Sequence, residues 1–129
     1  MRLSSLVGGA AEVIGREATL AEAADRMIER EVDCLAVVDG RNLVGVITER
    51  DLVASVADGA DAEAALVDDW MSESPDTFSP DVSVKEASAW LLQTGYRHLP
   101  VMADGELLGI VDIRDLLFAL LPADEAAKE

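Results

Sequence analysis

The apolar positions of this chain fall into two sets with different spacing. Behind Thr19-x-x-Glu22, Leu20, Ala24, Met27 and Ile28 recur at helical spacing, as do Val84, Ala87, Leu91 and Leu92 behind Ser83-x-x-Glu86. Both leading pairs have the form of capping boxes, in which a hydroxyl accepts from an orphan N–H and the carboxylate reaches back. The pattern then changes to short apolar strands, 34–38 and 43–47, and again His98 to Met102 and 107–111. The continuous run of the second strand in each pair, 43–47 or 107–111, predicts burial on both faces. Asp39-Gly40 and Asp104-Gly105 separate the members of each pair and tolerate the positive φ of a tight hairpin. The turn pair is displaced by one position between them, which predicts hairpin tips of different shape. A second helix follows each hairpin: one from Thr48, carrying Leu52, Val53 and Val56, the other from Asp112, carrying Leu116, Leu117 and Leu120.

These sets are one motif twice. Shifted by 64 residues, the chain matches itself without a gap from Leu3 to Leu116. Leu3-Ser4-Ser5-Leu6-Val7 falls on Val67-Asp68-Asp69-Trp70-Met71, and Leu43-Val44-Gly45-Val46-Ile47 on Leu107-Leu108-Gly109-Ile110-Val111. Identities are sparse, but apolar class and punctuation coincide at nearly every step. The repeat divides the chain into motif 1 (1–57), a linker (58–66), motif 2 (67–122) and a frayed tail (123–129). One copy of about 55 residues is marginal alone. Two copies can pack sheet to sheet and leave related clefts, which are natural ligand sites.

Composition narrows the functions. Half of the 129 residues are apolar, enough for a real core. The longest apolar run, 116–121, stops at Pro122 and is far shorter than the ~20 residues of a spanning helix. The first five residues lack the apolar stretch of a secretory signal, and the single Cys34 permits no internal disulfide, so a cytoplasmic protein is expected. There are 26 acidic residues against 10 basic ones, a net charge of −16, scattered along the chain. Such a surface repels nucleic-acid backbones and anionic lipid, so neither nucleic acid nor membrane is an expected partner. With only two lysines, Lys85 and Lys128, this acidic skin resembles proteins of salt-loving microbes.

Three stretches carry a family resemblance: Val67-Asp68-Asp69-Trp70-Met71-Ser72, Arg97-His98-Leu99-Pro100-Val101 and Gly45-Val46-Ile47-Thr48-Glu49-Arg50-Asp51. Repeated at fixed spacing, they resemble a tandem pair of CBS domains, a Bateman module, from Leu3 to about Leu121. The resemblance implies an α/β (α+β) fold of two β-α-β-β-α units related by a pseudo-two-fold axis, with sheets face to face. It implies a homodimer, a disk of four such motifs. It also implies clefts for AMP, ADP, ATP or S-adenosylmethionine, with no cofactor required. In such families adenine lies among apolar groups and main chain, an Asp meets the ribose, and hydroxyl or basic side chains take phosphates.

Carried over position by position, the resemblance points to ten residues. Thr48 and Asp51 follow a buried strand and open a helix, where the positive dipole end and N–H groups suit a phosphate and Asp51 suits two ribose hydroxyls. The same Thr-x-x-Asp is equally a capping motif, and the spacing leaves both roles open. Copy two has Asp112 and Asp115 there; Asp112 caps as well as Thr but would repel a phosphate. At the strand entrance copy two has Arg97 and His98, suited to phosphate by fork geometry and by donation or titration, where copy one has Asp33 and Cys34. Arg97 could equally form a surface ion pair. Ile14 and Phe78 stand where the family's chain passes the adenine, and Phe78 could stack on a purine or serve the core. Leu99 and Pro100 line the same strand, and Pro100 removes an N–H from it, which frees neighbouring main chain. Trp70 and Trp90 read as core or dimer-face anchors, and Cys34 as a small buried apolar residue.

No cluster at metal-ligand spacing, no phosphate loop and no nucleophile with an orienting base is present in the sequence, so neither a catalytic residue nor a metal site is expected. The expected function is a nucleotide sensor that acts in trans on a partner protein. The alternative, favoured by Asp33 and Asp112, is a ligand-free dimerisation or scaffold module.

Overall fold

The computed structural model describes residues 1–9 and 11–122, and the 123–129 tail lies outside the described residues. The chain divides into two compact units. The first is Ala11–Pro75, and the second joins the described parts of Met1–Ala10 and Asp76–Glu129. The packing units are thus cut differently from the sequence motifs. The first nine residues pack with the second motif, and the 58–75 stretch packs with the first.

In the first unit β1 (Val13–Gly15), α1 (Leu20–Arg30), β2 (Cys34–Asp39), β3 (Asn42–Thr48) and α2 (Glu49–Ala57) follow in order, then a short α3 (Val67–Trp70) and β4 (Ser72–Glu73). The sheet runs β1-β2-β3-β4, with β1 parallel to β2 and the other neighbours antiparallel. Leu20, Ala23 and Met27 of α1 cover Leu35, Val37 and Ile47, with Ile14 and Val67 completing the cluster. Cys34, Ala36 and Val46, on the opposite face by strand alternation, are buried too, so these runs are covered on both sides. The second unit repeats the plan with α4 (Val84–Thr94), β5 (His98–Ala103), β6 (Glu106–Asp112) and α5 (Ile113–Leu120). Its core is Leu3, Val84, Ala87, Leu91, Leu99, Val101, Val111 and Leu116.

The hairpin tips differ as the displaced turn pair predicts. Gly40 alone has positive φ in the first, Asp104 and Gly105 both in the second. The helix starts depart from expectation at two places. Thr19 and Ser83 accept from the N–H of Glu22 and Glu86, but neither carboxylate returns the bond, so these are simple caps. Complete boxes form instead at Thr48/Asp51 and Asp112/Asp115.

Each unit is completed by a segment from outside its helix–hairpin–helix. In the first, Val67 and Asp68 donate N–H to Ala18 and Arg16, and Leu20 donates to Ala65. In the second, Leu3 and Ser4 donate to Val82 and Pro80, and Val84 donates to Met1. Every residue in the second set lies at the repeat equivalent of the first. The linker is therefore a packed part of the first unit. Arg16 fastens it further, with Nε 2.9 Å from Asp68 and Nη1 3.3 Å from Asp39.

One strand is unequal. In the first unit Ala36 donates to Glu12 (2.9 Å) and Arg16 to Val38 (3.3 Å), extending β1 on both sides of Ile14. The equivalent donors are Pro100 and Pro80, which have no N–H. Among the described residues only the two bonds of Phe78 remain, its N–H to Pro100 and its carbonyl from Met102, both 2.9 Å. The counterpart of β1 is accordingly an isolated bridge, Phe78 to Val101.

Candidate functional site

In each unit a strand entrance, the end of its hairpin partner and the start of a helix meet at one sheet edge. Cys34 pairs with Thr48, and the N–H of Glu49 reaches the carbonyl of Asp33 at 3.0 Å. His98 pairs with Asp112, and the N–H of Ile113 reaches the carbonyl of Arg97 at 2.9 Å. Within the first unit Thr48 and Asp51 are brought together, and within the second Arg97 and His98 meet Asp112 and Asp115.

At the first edge Thr48 donates its N–H (2.8 Å) and its hydroxyl (3.1 Å) to Oδ2 of Asp51, and its hydroxyl accepts from the Asp51 N–H (3.3 Å). Asp51 is thus a structural cap, yet its Oδ1 accepts no hydrogen bond from the described residues. At the second edge Asp112 Oδ1 accepts from the N–H groups of Arg114 (2.8 Å) and Asp115 (3.0 Å), and Oδ2 from the Arg114 guanidinium (3.0 Å). Asp115 Oδ2 accepts from the Asp112 N–H at 3.0 Å, again leaving Oδ1. Burial alone would raise the Asp112 carboxyl; the Asp115 and Arg114 N–H groups and the Arg114 guanidinium outweigh it and hold it below its ordinary value. The charge expected to repel a phosphate is therefore paired within its own helical turn. That pairing was missed in the sequence, although an Arg two residues past an acidic cap was its signal.

The other expected residues are placed differently. Ile14 is buried in the core opposite Val37, three residues beyond Cys34. Phe78 packs against the second core and, edge-on at 4.9 Å, against Trp90, on which Tyr96 stacks at 5.5 Å. The Phe78 ring thus contacts Trp90 and the second core and is half-buried. Leu99 is fully buried and Pro100 buried. Arg97 is exposed and makes no ion pair among the described residues. Arg26, with nothing in its sequence context to mark it, donates to the Val13 carbonyl at 2.6 Å and covers the outer edge of β1. No group of three or more His, Cys, Asp or Glu that could hold a metal occurs among the described residues, and no helix there is long and apolar enough to cross a membrane.

The family model of the CBS domain matches residues 11–58 and again 67–122. The chain belongs to the CBS-domain family. As a CBS pair it is 40% identical over 111 residues, 84% of its length, to an uncharacterized 17.7 kDa protein of Acidianus ambivalens, of which it covers 66%. It spans less than two thirds of the length of the first curated relatives it matches. A protein with CBS domains from Burkholderia ambifaria MC40-6 superposes with a TM-score of 0.90 at 26% identity, over 94% of both chains. CBSX2, solved in complex with AMP, superposes with a TM-score of 0.81 at 26% identity, over 92% of this CBS pair and 94% of CBSX2.

Proposed function

We propose that this CBS pair is a non-catalytic regulatory module that binds an adenine nucleotide (AMP, ADP, ATP or S-adenosylmethionine) and acts in trans on a partner protein in the cytoplasm. The observation that carries the reading is the half-used carboxylate at each edge. Asp51 and Asp115 each cap a helix with Oδ2 and keep Oδ1 for a donor such as a ribose hydroxyl, beside a helix start whose N–H groups favour anions. The likeness to CBSX2, a CBS protein solved with AMP, supports the same ligand class. Thermal unfolding with AMP tests it, because a ligand selective for the native state must stabilise that state. A melting temperature that rises with AMP concentration is the expected result; none at millimolar AMP, ATP or S-adenosylmethionine overturns it.

The module acts as a homodimer. Ile28, Val53 and Val56 are 82%, 66% and 73% exposed, and their repeat equivalents Leu92, Leu117 and Leu120 are 84%, 58% and 57% exposed. Apolar side chains turned outward at the same three positions of both copies suit an isologous contact with a second chain. The ligand-free scaffold reading draws on this same surface, and the AMP experiment separates the two.

A further inference from the structure

We infer that two copies of this chain join head to tail, the helical face of the first unit against that of the partner's second unit; this rests on the homodimer reading above. The apolar parts of the two faces do not choose an arrangement, because Ile28, Val53 and Val56 match their equivalents Leu92, Leu117 and Leu120 in kind and in exposure. The charged borders do. On α1, Asp25 and Glu29 lie one turn apart beside Ile28, both exposed, and neither forms an ion pair among the described residues. The cations of that helix are turned toward β1, Arg26 to the Val13 carbonyl at 2.6 Å and Arg30 to Glu12 at 3.9 Å. Glu49 adds a third exposed carboxylate one turn before Val53. The repeat equivalents of these three are Ala89, Gln93 and Ile113, none of them charged. The second face also carries a cation. Lys85, two turns before Leu92 and in line with it on α4, is exposed and makes no ion pair among the described residues, where α1 has Ala21.

Like-with-like pairing sets Asp25 and Glu29 of one chain against the same two residues of its partner, beside an apolar contact that has displaced water and strengthens the repulsion. Head-to-tail pairing brings them instead to a face with neutral side chains at those positions and the ammonium of Lys85. A two-fold axis repeats the contact, first unit on second and second on first, so the favourable border is used twice. Arg50 and Arg114 are equivalent and both exposed, and they favour neither arrangement. Charges at a rim add little affinity, but they fix the register of a contact whose apolar centre fits either way.

Sedimentation of the whole chain at low ionic strength tests this, with the border charges exchanged. Lys85→Glu should weaken the dimer about fivefold, because it sets a carboxylate against the partner's Asp25 and the partner's Glu29. Adding Asp25→Lys and Glu29→Lys to the same chain should restore the wild-type dissociation constant, and both effects should fade at about 1 M salt. All three positions are exposed, so the fold is kept. Native mass spectrometry of wild type mixed with Asp25→Lys/Glu29→Lys should find mixed dimers at no more than their statistical share. Mixed dimers above that share, or a triple variant no tighter than Lys85→Glu, would overturn the arrangement and leave the homodimer standing. A wild type that stays monomeric at every concentration removes both.

Discussion

Thr48 donates both its N–H and its hydroxyl to a single oxygen of Asp51, at 2.8 and 3.1 Å. The carboxylate therefore closes a helix start with one oxygen and leaves the other open. Asp51→Ala should cost about 1 kcal/mol of stability through the lost cap. Asp51→Asn, which keeps an acceptor, should cost less. Urea unfolding of the two variants checks this; equal losses would contradict a capping role for the carboxylate.

Gly45 and Gly109 are repeat equivalents with the same task. A Cβ on Gly45 would lie 2.5 Å from Met71 Sδ and 2.8 Å from the Ser72 carbonyl, and one on Gly109 would lie 2.8 Å from Val7 Cγ1. The crossing segments pass directly over these glycines. Each change to Ala should destabilise by roughly 1–3 kcal/mol. Gly45→Ala should be the worse, because its Cβ would meet backbone at 2.8 Å, the Ser72 carbonyl, against 3.1 Å to the Gly9 carbonyl at Gly109. Denaturant midpoints near wild type for both would show that the segments do not pack there.

Asp112 sets an acid limit. Its carboxyl is held below the ordinary value of 3.8 in the folded state. A depressed folded value means that its stabilisation is present above 3.8 and is lost as the pH falls below it. Asp112→Asn, which keeps a cap but loses the charged pair with Arg114, should flatten the fall in stability over that acid range. Thermal melts across acid pH measure it, and an unchanged slope in the variant would contradict the pairing.

The outward apolar side chains predict a dimer that charge can split. Val53→Glu combined with Leu117→Glu should halve the mass seen by light scattering while leaving the fold intact by circular dichroism, since both residues are largely exposed. A double variant that keeps the wild-type mass would place the interface elsewhere.

Local chemistry was the most legible part of this chain. The helix starts at Thr48 and Asp112, the strands and the unlike hairpin tips follow from capping, apolar runs and turn residues, whose signals lie within a few positions of where they act. Contacts that cross the chain left weaker marks. Nothing near Arg16 marks Asp39 and Asp68 as its partners, and the packing of Leu3 with Val84 depends on which segment completes which unit. Helical spacing placed Ile28, Val53, Leu92 and Leu117 on apolar faces, but spacing alone does not say whether a face meets the chain's own core or solvent. The proline substitutions at positions 80 and 100 were visible as residues; their joint effect appears only beside the Ala36 and Arg16 bonds they replace. At the candidate edges the gathering of Arg97, His98, Asp112 and Asp115 was legible from the repeat, whereas the neutralisation of Asp112 by Arg114 was not.

The most direct test of the central claim is an AMP titration by calorimetry of the wild-type chain beside Asp51→Ala/Asp115→Ala. Saturable binding by the wild type is predicted, weakened about tenfold or more in the double variant while a folded protein persists, because each change removes a hydrogen bond to a charged acceptor. Wild-type protein that takes up no AMP, or a double variant that binds it as tightly, would contradict the account.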